Sequence, residues 1–288
     1  MKKISTVAEL LKVKKVVIYI INYEPIVDRR KYLQRRIVEL GLNKYTKWII
    51  QKPNIYDEKI KVIYKENPFE WEKRSKYVYG PKEFSRLSPG ELNLTMNHVT
   101  IYKELVKKKQ NALIFEDDVI LGDDFLERLV ICLENLPENF DVAYTDAGIH
   151  IRFPKTLNSL KYYLYSGFLT RATGSYFVSY EGAKKYLRYF SPVLFNDLNM
   201  RYLEKKYKMK VFWLNGYLTY QGSVYGPYNS ADNLMRDEPS KIQKFIKSLE
   251  IKRFDRKISS KIELMFLDYF ILIPLRIFKY NLRFLLRW

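Results

Sequence analysis

The chain alternates short, uninterrupted apolar runs with stretches whose apolar residues recur every three or four positions. Val16-Val17-Ile18-Tyr19-Ile20-Ile21 is a β-branched run of strand length, closed by Asn22 and the turn-prone Glu24-Pro25, and it reads as a strand buried on both faces. After Asp28-Arg29-Arg30, the residues Tyr32, Leu33, Arg36, Ile37 and Leu40 fall on helical spacing that stops at Gly41. Ser88-Pro89-Gly90-Glu91 carries the marks of a helix start: a hydroxyl N-cap, a proline at the first helical position and a glutamate three residues on. That spacing predicts a helix through His98 to about Lys108. Ala112-Leu113-Ile114-Phe115 is a second buried strand, delivering Glu116-Asp117-Asp118 to its C-terminal end. Asp123 and Asp124 are placed to cap a helix from Phe125 to Leu136, and Asp141 to Asp146 reads as a third strand of the same kind. Further on, Gly174 to Ser179 is strand-like, Glu181 to Tyr189 is helical, and Val211 to Tyr220 is rich in β-formers and aromatics.

Strand alternating with helix over about 130 residues predicts an α/β fold, a Rossmann-type, mostly parallel sheet with flanking helices, binding ligands beyond its strand C-termini. Residues from about Ile50 to Arg86, with Pro53, Pro68 and Pro81, are weakly periodic and read as a long irregular insertion. From about Asp237 the chain becomes dense in lysine and arginine with apolar residues at helical spacing. Residues 1–236 are therefore expected to form the main domain and residues 237–288 a basic amphipathic helical tail, with no internal repeat.

Composition narrows the class. Hydrophobic residues at 47% with charged residues at 29% exclude a disordered chain and a polytopic membrane protein. The 51 lysines and arginines against 32 acidic residues give +19 over 288 residues, which calls for anionic partners: nucleic acid, an acidic membrane surface or phosphorylated substrates. The basic residues are spread along the whole chain without a zinc-finger or RRM signature, so no nucleic-acid partner is expected. The single cysteine, Cys132, rules out an internal disulfide framework and a multi-cysteine zinc site and points to a buried apolar residue in a reducing compartment. Glu9, Lys12, Lys14 and Lys15 interrupt the N-terminus before an apolar stretch builds, so a cytoplasmic protein without a cleaved leader is expected.

The acidic triplet is the strongest local sign of chemistry. Three consecutive carboxylates after an apolar strand repel one another at a partly buried strand end. Glu116 and Asp118 share one side of an extended chain, and a hard divalent cation, Mn²⁺ or Mg²⁺, itself bound to a diphosphate, fits such oxygen ligands. The alternative is a solvated acidic turn capping the next helix. Its position at the binding edge of an open sheet, in a chain otherwise positive, favours the cation.

Several blocks together resemble a known family. Leu87-Ser88-Pro89-Gly90-Glu91-Leu92, Asn97-His98 and Ala112-Leu113-Ile114-Phe115-Glu116-Asp117-Asp118-Val119 look like glycosyltransferase family 25, the lipopolysaccharide-biosynthesis glycosyltransferases. Ile20-Ile21-Asn22 with Asp28-Arg29-Arg30, Gly174 to Ser179 with Gly182-Ala183-Lys184-Lys185, Asn196-Asp197 and Gln221-Gly222-Ser223 agree in colinear order. Asn97 stands where the family usually has serine, and Leu94-Thr95-Met96 where it more often has small residues. The resemblance implies a GT-A-type fold that transfers a sugar, commonly galactose from UDP-galactose, with inversion, onto a lipooligosaccharide or similar glycan. It implies that Asp118 holds the divalent ion, with Glu116 or Asp117 assisting or touching the ribose. Asn22, Arg29 and Arg30 would lie close to the nucleotide.

A base is also needed for the acceptor hydroxyl. Asp197 is the candidate, its alternative being a helix N-cap, and Asp146 is the next choice. His98, Gln221 and Ser223 fall on the acceptor side, with His98 alternatively a helix-packing residue and His150 a surface one. A catalytically silent glycan-binding relative is one competing reading, opposed by the intact carboxylates, and a basic nucleic-acid-binding protein is the more remote one, opposed by an acidic triplet at the binding edge. In the tail, Leu264, Leu267, Ile271, Leu275, Phe278, Leu282 and Leu285 form an apolar stripe, with Arg276, Lys279, Arg283 and Arg287 on a neighbouring face. Such a helix suits the interface of an anionic membrane, placing the protein on the inner face of the cell membrane near a lipid-linked acceptor; docking on its own domain is the alternative.

Overall fold

The computed structural model describes residues 2–52, 73–74, 87–145, 162–164, 173–214 and 218–225. Asp146, His150, the tail 237–288 and most of the expected insertion lie outside the described residues.

The elements run α1 (Lys2–Val13), β1 (Val16–Tyr23), α2 (Val27–Glu39), β2 (Thr46–Gln51), α3 (Pro89–Lys108), β3 (Asn111–Glu116), β4 (Val119–Leu121), α4 (Phe125–Asn135), β5 (Val142–Tyr144), β6 (Tyr162–Leu164), β7 (Ser175–Val178), α5 (Tyr180–Tyr189), α6 (Asn196–Tyr207), β8 (Val211–Leu214), β9 (Thr219–Gln221) and α7 (Gly222–Tyr225). Seven strands form one sheet in the order β2-β1-β3-β7-β5-β8-β6, and β4 pairs with β9 in a small second sheet. β1 is parallel to β2 and β3, and β5 to β8, whereas β7 runs against both β3 and β5, and β6 against β8. The expected mostly parallel α/β sheet with flanking helices is present, with two strands reversed in it.

Side-chain alternation along the central strands divides the core in two. Tyr19, Ile21, Ala112, Ile114, Tyr144, Tyr176 and Trp213 face one way and pack with residues of α3, α5 and α6. Ile18, Ile20, Leu113, Phe115, Ala143 and Phe177 face the other way, toward α1, α2 and α4. A strand buried on both faces must be apolar at every position, which is why β1 and β3 are unbroken apolar runs. Cys132 is a buried free thiol on α4, as its lone occurrence predicts.

The predicted helix boundaries hold where local chemistry sets them. Both halves of the Ser88–Glu91 capping box form, with Pro89 opening α3, and Gly41 at φ 69° follows the end of α2 in the conformation glycine adopts most easily. Three expectations are corrected. β2 extends through Ile50 and Gln51, which pair with Asn22 and Tyr23, where an irregular segment was expected to begin. Its side chains are mostly half-buried, so it lacks the continuous apolar run of a central strand. Lys2–Val13, read only for targeting signals, is a helix that buries Val7 and Leu11. Asp124 occupies the N-cap of α4 without a side-chain cap bond; its carboxylate accepts instead from Arg128 Nε at 2.8 Å.

Candidate functional site

β3 ends at Glu116, and Asp117 and Asp118 turn the chain into β4. The three carboxylates point into different surroundings. Asp117 turns toward the C-terminal end of β1, where its Oδ2 accepts from Asn22 Nδ2 at 2.9 Å and from the Tyr23 amide at 2.8 Å. Its Oδ1 accepts from Arg29 Nη1 at 3.0 Å. Burial pushes the carboxyl above the ordinary aspartate range, and the Tyr23 amide and Arg29 pull it back. Arg30 is held nearby by Asn22 Oδ1 at 3.0 Å and the Glu24 carbonyl at 3.1 Å. Asn22, Arg29, Arg30 and Asp117, all expected near the nucleotide, are therefore brought together as one hydrogen-bonded network.

Asp118 lies on the other side of the turn. Pairing of β4 with β9 sets Val119 opposite Gln221, and this carries Ser223 onto Asp118. Ser223 Oγ donates to Asp118 Oδ2, and the Gly222 amide donates to the Asp118 carbonyl at 2.5 Å. Ser223, expected on the acceptor side, thus stands against the candidate metal ligand. Asp118 Oδ1 is buried with no hydrogen-bond partner among the described residues. Burial first, and then the charge of Glu116, pushes the Asp118 carboxyl up to about 7.

Glu116 faces α6. Thr173 Oγ1 lies 2.9 Å from Glu116 Oε1 and 2.6 Å from Asp197 Oδ1, so one hydroxyl joins the two carboxyls. Asp197 is the second residue of α6, whose N-cap is Phe195; the N-cap alternative for Asp197 does not describe it. Burial, and then the Glu116 charge, pushes its carboxyl up to about 8. His98, expected to face the acceptor, is fully buried on α3. Its Nδ1 shares a hydrogen with the Tyr176 hydroxyl at 2.7 Å, and its Nε2 is 3.5 Å from Glu116 Oε1. It meets the site through Glu116. Gln221 packs over Gly174, where a Cβ would come within 2.6 Å of Gln221 Nε2, so any larger residue there would have to push the Gln221 side chain aside.

A cavity of about 270 Å³ opens between the ends of β1 and β2, the start of α3 and the acidic turn. Tyr23, Gln51, Gly90 and Leu94 line it together with Glu116, Asp117, Asp118 and Ser223. Asp197 is not part of that lining and reaches it through Thr173 and Glu116. Among the described residues no three histidine, cysteine, aspartate or glutamate side chains gather as a metal-ready cluster. The turn offers Asp118 and Glu116, and the unpartnered Asp118 oxygen is the atom a cation would satisfy. Oxygen-only donors of this kind suit Mg²⁺ or Mn²⁺ bound by one or two carboxylates plus substrate phosphates.

The family model of glycosyltransferase family 25, described as LPS biosynthesis proteins, matches residues 15–201. The match runs from β1 into α6 and takes in the acidic turn, Thr173 and Asp197. The chain belongs to glycosyltransferase family 25. No curated protein matches it. As a family 25 glycosyltransferase it uses a sugar donor and a glycan acceptor, and Ser223, on the turn beside Asp118, lies beyond the matched span. Three contributors carry no sequence signal: Tyr23 acts through its amide, Gln51 falls where the pattern predicts an irregular segment, and Thr173 directly precedes the Gly174 block without standing out as a polar residue.

Proposed function

We propose that this glycosyltransferase transfers a hexose, galactose from UDP-galactose, with inversion, to a lipooligosaccharide or related glycan. The observation that carries the reading is the buried, unpartnered Oδ1 of Asp118 at the cavity, with Glu116 beside it and Asp197 one hydroxyl away. Asp118 and Glu116 would hold Mn²⁺ or Mg²⁺, which supplies positive charge to the departing nucleoside diphosphate. Asp117 serves a different purpose, since its donors are Asn22, Tyr23 and Arg29: it braces the end of β1 against the turn and so shapes the donor wall.

Asp197 is the base that takes the acceptor hydroxyl's proton. A carboxyl raised to about 8 is far more basic than a free aspartate, and its charged form, the one that accepts a proton, grows as pH rises toward that value. His98, held by the Tyr176 hydroxyl, lies against Glu116 with its Nε2 3.5 Å from Glu116 Oε1 and no hydrogen bond to it among the described residues. The arrangement of five co-directional strands with β7 reversed among them supports a GT-A-like scaffold.

The test is transfer from UDP-galactose, against a panel of other nucleotide sugars, to lipooligosaccharide acceptors with Mn²⁺ or with EDTA, the product anomer being assigned by NMR. Galactose transfer lost in EDTA and yielding the inverted anomer is the expected result. Full activity in EDTA would overturn the cation, a retained anomer would overturn inversion, and preference for another donor would overturn galactose.

No helix among the described residues is long and apolar enough to cross a membrane. The peripheral membrane role of residues 237–288 rests on their apolar and cationic stripes. Removal of residues from Lys261 onward is expected to abolish sedimentation with anionic vesicles.

A further inference from the structure

We propose that Thr173 is a positioning residue of the transfer step. Its hydroxyl fixes the Asp197 carboxyl in the orientation from which it takes the acceptor proton, and couples it to Glu116. This rests on the reading of Asp197 as the base.

The backbone puts Thr173 there. Antiparallel pairing of β3 with β7 sets Phe115 opposite Ser175, and the Glu116 amide donates to the Gly174 carbonyl at 2.9 Å. Thr173 therefore lies just past the last residue of β3, where Glu116 leaves the sheet. Gln221 closes over the neighbouring Gly174, and Thr173 itself is 3% exposed. The start of α6 is equally fixed: Asn199 Oδ1 accepts from the Ser191 amide at 3.1 Å, and its Nδ2 donates to the Ser191 carbonyl at 2.9 Å and the Leu194 carbonyl at 2.6 Å.

With both backbones held, the freedom left to Asp197 is rotation of its side chain. The Thr173 hydroxyl at 2.6 Å removes it, and this bond favours the charged carboxylate. Threonine suits the role because its branched Cβ confines the hydroxyl to few rotamers. A general base must meet its proton within hydrogen-bond reach, and small misplacements are costly in rate.

The experiment compares the full-length wild-type protein with Thr173→Val, Thr173→Ser and Asp197→Asn. Thr173→Val keeps the shape and removes the hydroxyl; with Mn²⁺ in excess, so that any weakening of the cation site through Glu116 is saturated out, it is expected to lower kcat about tenfold to a hundredfold while leaving donor KM within twofold. Its pH profile should shift its acidic limb upward, since a donor that favours the charged carboxylate is gone. Thr173→Ser should recover most of kcat. If Thr173→Val does not fold, Thr173→Ala against Thr173→Ser gives the same contrast. Wild-type kcat and pH profile in the hydroxyl-free variant, with Asp197→Asn inactive, would overturn the role of Thr173 alone. Full activity of Asp197→Asn would overturn the base assignment beneath it. Equal losses in the valine and serine variants would mark a packing role and overturn the proposal.

Discussion

Asp117 and Asp118 are neighbours in the chain and nearly equally buried, at 8% and 6% exposure, yet the two sides of their turn are built differently. On the β1 side, Asp117 meets an arginine, an asparagine amide and a backbone amide. On the β9 side, Asp118 meets one hydroxyl, with its second oxygen unpartnered and Glu116 repelling it. A buried carboxylate supplied with donors by its own chain braces that chain. One left short of donors is a place for a ligand to supply them, and perturbed groups beside a cavity mark such places. The difference separates strut from site within two consecutive residues.

The largest effect that would sharpen this contrast is at Asp118. Asp118→Ala is expected to lower transfer by about a thousandfold, with a melting temperature equal to or above that of the wild type, because an under-partnered buried carboxylate is removed. A variant that loses stability and keeps activity would make Asp118 the strut.

The opposite signature is expected across the turn. Arg29 and Asp117 form a pair whose side chains are 9% and 11% exposed, and removing one member of a buried pair typically costs about 3 kcal/mol. Arg29→Met should show that loss in urea unfolding, with donor KM changed far less than stability allows. Unchanged stability with a large rise in donor KM would instead make Arg29 a donor contact.

Much of this was legible in the sequence, for identifiable reasons. β1 and β3 are buried on both faces and so carry unbroken apolar runs, and α3 announces itself with a complete capping box. β2 did not, because its half-buried Thr46–Gln51 run mixes polar and apolar residues. Strand direction was also hidden: the period of a strand is the same either way, so Gly174 to Ser179 revealed β7 and concealed its reversal. The acidic triplet was visible as a cluster, but its division of labour was not. Which carboxylate is satisfied depends on Arg29, 88 positions away, and on Ser223, 105 positions away. Thr173 becomes meaningful only once β7 runs back along β3.

Ser223 tests the under-partnered side more gently. Its hydroxyl is a neighbour that orients Asp118, and loss of such partners weakens metal sites by about tenfold or somewhat more. Ser223→Ala is expected to raise the Mn²⁺ dissociation constant, read by electron paramagnetic resonance, by about tenfold with the fold intact. An unchanged constant would separate Ser223 from the cation site.

The smallest effect is the pH dependence of stability, and its sign follows from the carboxyls on this side of the turn. Asp118 and Asp197 are raised to about 7 and about 8, above the unfolded value of about 3.9. Between those limits the folded protein keeps protons that the unfolded chain releases, so folding stability falls as pH rises and levels off above the folded values. Below pH 7 both groups contribute. Between 7 and 8 Asp197 dominates, with a slope of at most about 1.4 kcal/mol per pH unit, so about 1 kcal/mol from Asp197 and a smaller share from the end of the Asp118 titration are expected to be lost there. Urea unfolding of the metal-free protein at pH 7 and pH 8 should show that loss, and Asp197→Asn should remove most of it while leaving the decline between pH 5 and 7 to Asp118. A wild-type stability that rises with pH across this window would mean that both carboxylates are charged and paired within the fold, and would remove the contrast with Asp117.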